Sequence, residues 1–153
     1  MKRLMLFFGI ILLFSVNSLA QEIRESGGIY YLDSKPYTGI YTISYDNGNP
    51  QMTISLKEGV KDGEIRSFFE NGQVREICFY KNNLMDGIWT TYNEKGIKVA
   101  KAAYREGKKH GEWAVWDDRG QLIYEMYYFE GQKAGKWKQY DPSTGKLLHE
   151  RIF

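Results

Sequence analysis

Few residues in this sequence can do chemistry: His110, His149, Cys78 and a recurring set of carboxylates, Asp46, Glu70, Glu94 and Asp118. A histidine can move protons near neutral pH or hold a metal, and a thiolate can act as a nucleophile, but each needs partners at a workable spacing. Neither histidine has a second histidine or a cysteine at metal-ligand spacing, so no metal site is expected. Each of the four carboxylates lies two residues before a glycine, Gly48, Gly72, Gly96 or Gly120, which is the chemistry of a tight turn. Cys78 occupies a slot filled elsewhere by Ile54, Ala102 and Met126, and reads as a small apolar strand residue. His110 shares its slot with Thr38, Asp62, Asp86 and Ala134, a variety that reads as a solvent-facing turn. His149 matches Tyr124 and is expected to pack near the C-terminal edge. No helix follows a glycine-rich loop, so a phosphate cradle is not expected either. These residues point away from an enzyme and from any cofactor.

The slots themselves come from a period of 24 residues, seen most plainly over residues 87–110. Gly39, Gly63, Gly87, Gly111 and Gly135 open successive copies. Two residues into each copy stand Tyr41, Ile65, Trp89, Trp113 and Trp137; five residues in stand Ser44, Phe68, Tyr92, Trp116 and Tyr140. A second glycine recurs as Gly48, Gly72, Gly96 and Gly120, with Gly145 one residue late, and a third mark as Gly59, Asn83, Gly107 and Gly131. Several marks holding one period over four or five copies are the signature of a repeat architecture.

Between the glycines the chain is rich in Tyr, Trp, Phe, Val, Ile and Thr, and no apolar face recurs at helical spacing. Asp46-Asn47-Gly48, Glu70-Asn71-Gly72, Glu94-Lys95-Gly96 and Asp118-Arg119-Gly120 are hairpin turns, since the glycine supplies the positive φ that closing the turn requires. Each copy is therefore one hairpin. The expected fold is all-β: an elongated antiparallel meander of tandem hairpin repeats, about ten to eleven strands in a single twisted or curled sheet. A leading strand is expected around residues 29–32, and Phe153 falls in the slot of Tyr128. Offsets two and five differ in parity, so a regular strand sends Trp113 and Trp116 to opposite faces; a bulge that realigns them is the expectation. Equivalent residues in neighbouring copies lie two strand spacings apart, about 9 to 10 Å, so Trp89, Trp113 and Trp137 need an interleaving side chain, with Tyr80, Tyr104 and Tyr128 as one candidate row.

Residues 1–20 read as a secretory signal peptide: a basic head at Lys2 and Arg3, an apolar run over residues 4–16, and Ser18-Leu19-Ala20 before a cut at Gln21. The apolar run is shorter than the roughly 18 residues that spanning requires. The repeat domain is then residues 21–153, with an exported location, periplasmic, envelope-associated or secreted. Without Lys2 and Arg3 the 21 basic residues become 19, equal to the 19 acidic ones, so no bulk field for nucleic acid is left. Cys78, as the single cysteine, forms no intramolecular disulfide.

The pattern Gly-x-Trp/Tyr-x-x-Tyr/Trp, then Gly, then a strand ending Tyr-x-x-Gly-x-x-x-Gly, resembles the MORN-repeat variant of bacterial proteins. Lys35-Pro36-Tyr37-Thr38-Gly39, Asn71-Gly72 and Gly107-Lys108-Lys109-His110-Gly111-Glu112-Trp113 carry the likeness, which runs from about residue 30 to residue 153. It looks like the group often labelled the antitoxin of a toxin-antitoxin pair. The resemblance implies a non-enzymatic binding or assembly module, and an exported member implies an immunity-like role outside the cytoplasm. The expected partner is a protein, or a second copy of the chain, met through Trp89, Tyr92, Trp113, Trp116, Trp137 and Tyr140, because Trp and Tyr provide much contact area when an exposed face is covered. The bland alternative makes the same rings the spine of the sheet. A second reading is attachment to membrane lipid or envelope glycan through the aromatic rows.

Overall fold

Glycine spacing and β-branched or aromatic residues dictate the strands, and the computed structural model, which describes residues 22–153, shows them. The signal-peptide assignment to residues 1–20 lies outside the described residues. In chain order the strands are β1 (Ile23–Ser26), β2 (Ile29–Leu32), β3 (Lys35–Pro36), β4 (Gly39–Ser44), β5 (Pro50–Lys57), β6 (Val60–Phe68), β7 (Val74–Lys81), β8 (Leu84–Met85), β9 (Gly87–Tyr92), β10 (Lys98–Arg105), β11 (Lys108–Lys109), β12 (Gly111–Trp116), β13 (Leu122–Phe129), β14 (Gln132–Tyr140) and β15 (Leu147–Ile152). There is no helix among the described residues. The main sheet has 12 strands in the order β15-β14-β13-β12-β10-β9-β7-β6-β5-β4, with β11 on β10 and β8 on β7. It is an open antiparallel meander, as the repeat implies.

Two differences from expectation have local causes. The leading residues form a separate three-stranded sheet, β1-β2-β3, rather than the first strands of a single sheet. Its last strand has only two residues and ends at Pro36, which has no N–H to continue a ladder. Backbone bonds from Tyr30 N to Gly59 O and from Gly59 N to Tyr37 O, both 2.8 Å, still tie it to the turn between β5 and β6. The strand count rises because the chain jogs sideways at each opening glycine, which splits β8 from β9 and β11 from β12. In β6 the same jog leaves the strand intact: Lys61 pairs with Leu56 and Ile65 with Ile54, so residues 62–64 face Ser55 alone.

Glycine is required at the jog. Gly87 has φ of 115°, and a Cβ there would sit 3.0 Å from Cβ of Phe79 on the neighbouring strand. Gly111 repeats this with φ of 93° and Ala103 Cβ at 3.3 Å.

The expected bulge exists, but on the returning strand. Val115 pairs with Tyr124 and Trp116 with Leu122, leaving Ile123 extra. Arg75, Val99 and Leu148 are left over in the same way in other copies. Because the extra residue is in the partner strand, it does not turn Trp116 to the face of Trp113.

The tight turns between copies stack on one another. Asn83 N donates to Lys61 O at 2.9 Å, Gly107 N to Met85 O at 2.8 Å and Gly131 N to Lys109 O at 2.8 Å. Side chains repeat the stitch one residue on: Thr38 Oγ1 accepts from Glu58 N at 2.8 Å, and Asp86 Oδ2 from Glu106 N at 3.0 Å. The buried core lies in the first half of the sheet, where Ile54, Leu56, Ile65 and Cys78 pack with Tyr41, Met52, Tyr80 and Trp89 around them. Among the described residues the second half contributes one buried apolar residue, Ala103.

Candidate binding face

Strand register decides which aromatic rings meet. Tyr104 is paired with Gly87 and Tyr128 with Gly111, so no side chain stands between each tyrosine and the tryptophan two residues past that glycine. The rings close into one ladder. Tyr80 lies 5.8 Å from Trp89, Trp89 5.3 Å from Tyr104, and Tyr104 5.2 Å from Trp113. Trp113 then lies 5.1 Å from Tyr128, Tyr128 5.2 Å from Trp137, and Trp137 5.0 Å from Phe153. The planes are tilted by 48° to 60°, an arrangement that suits the ring quadrupole. The Tyr80, Tyr104 and Tyr128 row is thus the interleaving set, and Phe153 does occupy the tyrosine slot. Trp113 Nε1 donates to Ala103 O and Trp137 Nε1 to Tyr127 O, both at 3.0 Å. Trp89 Nε1 is buried without a hydrogen-bond partner among the described residues. Burial pushes the Tyr80 and Tyr104 hydroxyls above the usual phenol range, so both are neutral in the ladder.

Lysines that directly follow the tight turns between copies lie over these rings. Lys109 Nζ is 4.6 Å from the Trp113 centroid and 4.9 Å from that of Tyr128. Lys133 Nζ is 4.4 Å from Trp137 and 5.0 Å from Phe153, with the Arg151 guanidinium 4.7 Å from Phe153. Lys61 Nζ stands 5.3 Å from Tyr80.

The opposite face carries Tyr92, Trp116 and Tyr140. Lys98 Nζ covers Trp116 at 4.2 Å. Tyr140 donates its hydroxyl to Glu125 Oε2 at 2.6 Å, and that bond is the main cause of its raised pKa. Lysines here are matched by carboxylates: Lys101 with Glu112 at 3.1 Å, Lys138 with Glu125 at 3.5 Å, and Lys136 with Glu150 at 3.1 Å. An open groove of about 470 Å³ runs between them past Ala114 and Trp116. The six aromatic residues singled out by the repeat therefore divide, Trp89, Trp113 and Trp137 on the ladder face and Tyr92, Trp116 and Tyr140 on the other.

Of the chemistry-bearing residues, Cys78 is buried in the core, and burial pushes its thiol up to about 12. His110 is not the loose turn residue its slot suggested. Its ring lies 5.2 Å from Phe129 and its Nδ1 3.2 Å from Glu130 Oε1, in the slot where Thr38 and Asp86 stitch neighbouring turns. Arg105 and Lys108 reach the same carboxylate at 2.7 Å and 3.4 Å, and the Arg105 bond leads in holding Glu130 below the usual carboxylate range. The hairpin carboxylates were placed one residue off by sequence. Asn93 Oδ1 accepts from the backbone of Lys95 and Ile97, and Asp117 Oδ1 from Arg119 and Gln121, while Glu94 and Asp118 are exposed beside them. The period could have identified these caps, since Asn93, Asp117 and Asp141 share one slot. No group of three or more His, Cys, Asp or Glu residues is arranged to hold a metal among the described residues.

A meander in which each hairpin stacks on the one before, with one ring ladder running across the strands, defines a tandem β-hairpin repeat protein. Residues 61–82 and 109–130 match the MORN repeat variant family, their starts two periods apart. The two matches support the MORN-repeat resemblance, and the intervening copy shows the same turns and ladder. No curated protein matches. Among solved structures, a chain in the crystal structure of the GtfA/B complex bound to UDP and GlcNAc is similar over 88% of this chain, at 12% identity and a TM-score of 0.31. The chain spans 24% of the length of that one.

Proposed function

We propose that this protein is an exported, non-enzymatic scaffold whose ladder face binds another protein. One observation carries the reading: a continuous row of half-buried rings is crossed by lysines that have rings beneath them and no ion pair among the described residues, while opposite them Lys101, Lys136 and Lys138 are paired with glutamates and Lys98 covers a single ring. Exposed aromatic surface with unneutralised charge has unused capacity for a partner. Export follows from residues 1–20, and the antitoxin-type resemblance favours an immunity-like partner met outside the cytoplasm.

The test is capture of binding partners from an envelope fraction with the chain of residues 21–153. A Lys109→Glu, Lys133→Glu variant and a Lys101→Glu, Lys138→Glu variant run beside it. The expected result is one protein retained by the second variant and lost from the first. Retention by both refutes the ladder face. Enrichment of lipid or polysaccharide alone replaces this reading with envelope attachment.

A further inference from the structure

The ladder has a pitch, and the pitch selects a ligand. Trp113 and Trp137 stand two strands apart, as do Lys109 and Lys133 above them. Two strand spacings come to about 9.4 to 9.8 Å. A polyproline II helix advances about 9.3 Å in one turn of three residues. A β-strand also covers about 10 Å in three residues, but it points residues i and i+3 to opposite sides. Polyproline II points them to the same side. A ligand running across the strands with one acidic residue in three therefore meets each repeat in the same way.

From this we infer that the C-terminal half of the ladder is a docking site for an acidic, proline-rich segment in the polyproline II conformation. This rests on the protein-binding reading and gives its partner a chemistry. Trp113, Tyr128, Trp137 and Phe153 supply the tilted rings on which prolines lie, a mode that aromatic grooves use for such ligands. Lys109, Lys133 and Arg151 supply the cations, and Lys109 and Lys133 are exposed and without ion pairs among the described residues. The site is confined to this half because the copy opened by Gly63 has Met85 in the lysine slot, and because Glu76, held by Thr91 at 3.5 Å, places a negative charge in the first half of the sheet. Sheet twist of about 20 to 25° per strand also limits a straight ligand to two or three repeats.

The probe is a labelled nine-residue peptide of three Glu-Pro-Pro units, followed by fluorescence anisotropy and by tryptophan emission. Its comparator has three Glu-Gly-Gly units, with the same charge and no preference for polyproline II. The expected result is binding of the proline peptide at least about tenfold tighter than the comparator, weakened by salt and by about tenfold or more in Lys109→Glu, Lys133→Glu. Lys101→Glu, Lys138→Glu leaves it unchanged, and circular dichroism confirms that both variants are folded. Equal affinity for the two peptides, or indifference to the Lys109 and Lys133 change, overturns the inference. So does the absence of peptide binding beside lysine-dependent flotation with phosphatidylglycerol vesicles, which assigns the face to a membrane. If neither peptide binds but a captured protein is still lost from the Lys109→Glu, Lys133→Glu variant, the docking chemistry falls and the protein-binding face stands.

Discussion

Glu58, Glu106 and Glu130 hold φ near 50° in the tight turns between copies, a left-handed conformation that glutamate dislikes and asparagine tolerates. The copy opened by Gly63 shows the better solution, with Asn82 and Asn83 at 48° and 65°. Glu58→Asn is expected to raise stability by about 0.5 to 1 kcal/mol in urea unfolding, because the Glu58 contact with Thr38 is made by backbone N and is kept. At the jog the balance reverses. Gly87→Ala meets both a φ of 115° and the Phe79 Cβ, and should cost about 1 to 3 kcal/mol; Gly72→Ala, with open space at a φ of 83°, should cost about 1. Asp117 adds a pH dependence. Bonds from the Gln121 backbone, then from Arg119, hold its carboxyl below the usual range. A folded pKa lower than the unfolded one means stability that is present above the unfolded value and lost as pH falls through the folded one. Asn93 makes the same turn bonds without charge, so Asp117→Asn should keep the hairpin and flatten the acid limb of a melting-temperature profile.

Individual strands are weak, and pairs of them are organised by the ladder. Trp113 has a ring on either side and an indole N–H bonded to Ala103. Two aromatic pairs at about 0.5 to 1.5 kcal/mol each and a hydrogen bond of about 1 predict that Trp113→Ala costs about 2 to 4 kcal/mol. Trp116, with Lys98 over its ring, should cost less, about 1 kcal/mol for that contact. Thermal melts of the two variants check the order; an equal loss would mean that the opposite face stabilises the sheet as much as the ladder does. The contrast also shows how far the sequence could be read. Period and glycines gave the hairpins, the interleaving tyrosines and the Phe153 slot, because each depends on local spacing. The separation of Trp113 from Trp116 escaped, since it depends on which of two paired strands carries the extra residue, and Ile123 looks no different from Val115. The role of the His110 slot escaped for a related reason. Thr38, Asp62, Asp86 and His110 look like surface variety until a turn 20 residues later is seen to be bonded by three of them and approached by the fourth.

Across the whole molecule, contacts run mainly between neighbouring copies, with the bond from Asn83 Nδ2 to Gly28 O reaching one copy further, so stability is close to a sum of local and nearest-neighbour parts rather than one quantity. Those parts are unequal. The first half holds Ile54, Leu56, Ile65 and Cys78 at 2% to 6% exposure, while all six residues of β15 are exposed and the second half relies on half-buried rings. Opening should therefore begin at β15 and spread inward, with β5 to β7 the last to open. Amide hydrogen exchange followed by mass spectrometry should show the slowest exchange in β5, β6 and β7 and the fastest strand exchange in β15. Trp137→Ala should sharpen the gradient. It removes the ring between Tyr128 and Phe153, so β13 to β15 lose protection while β5 to β7 keep nearly all of theirs. Cys78 gives an independent reading at the protected end: buried and with its thiol pushed up to about 12, it reacts with a disulfide reagent at neutral pH only when β7 opens. Trp137→Ala should then leave its labelling rate nearly unchanged, whereas Ile65→Ala, on the strand paired with it, should speed it. A single exchange rate over all strands, moving together in both variants, would instead mean one cooperative unit, with the ladder coupling the ends as strongly as it couples neighbours.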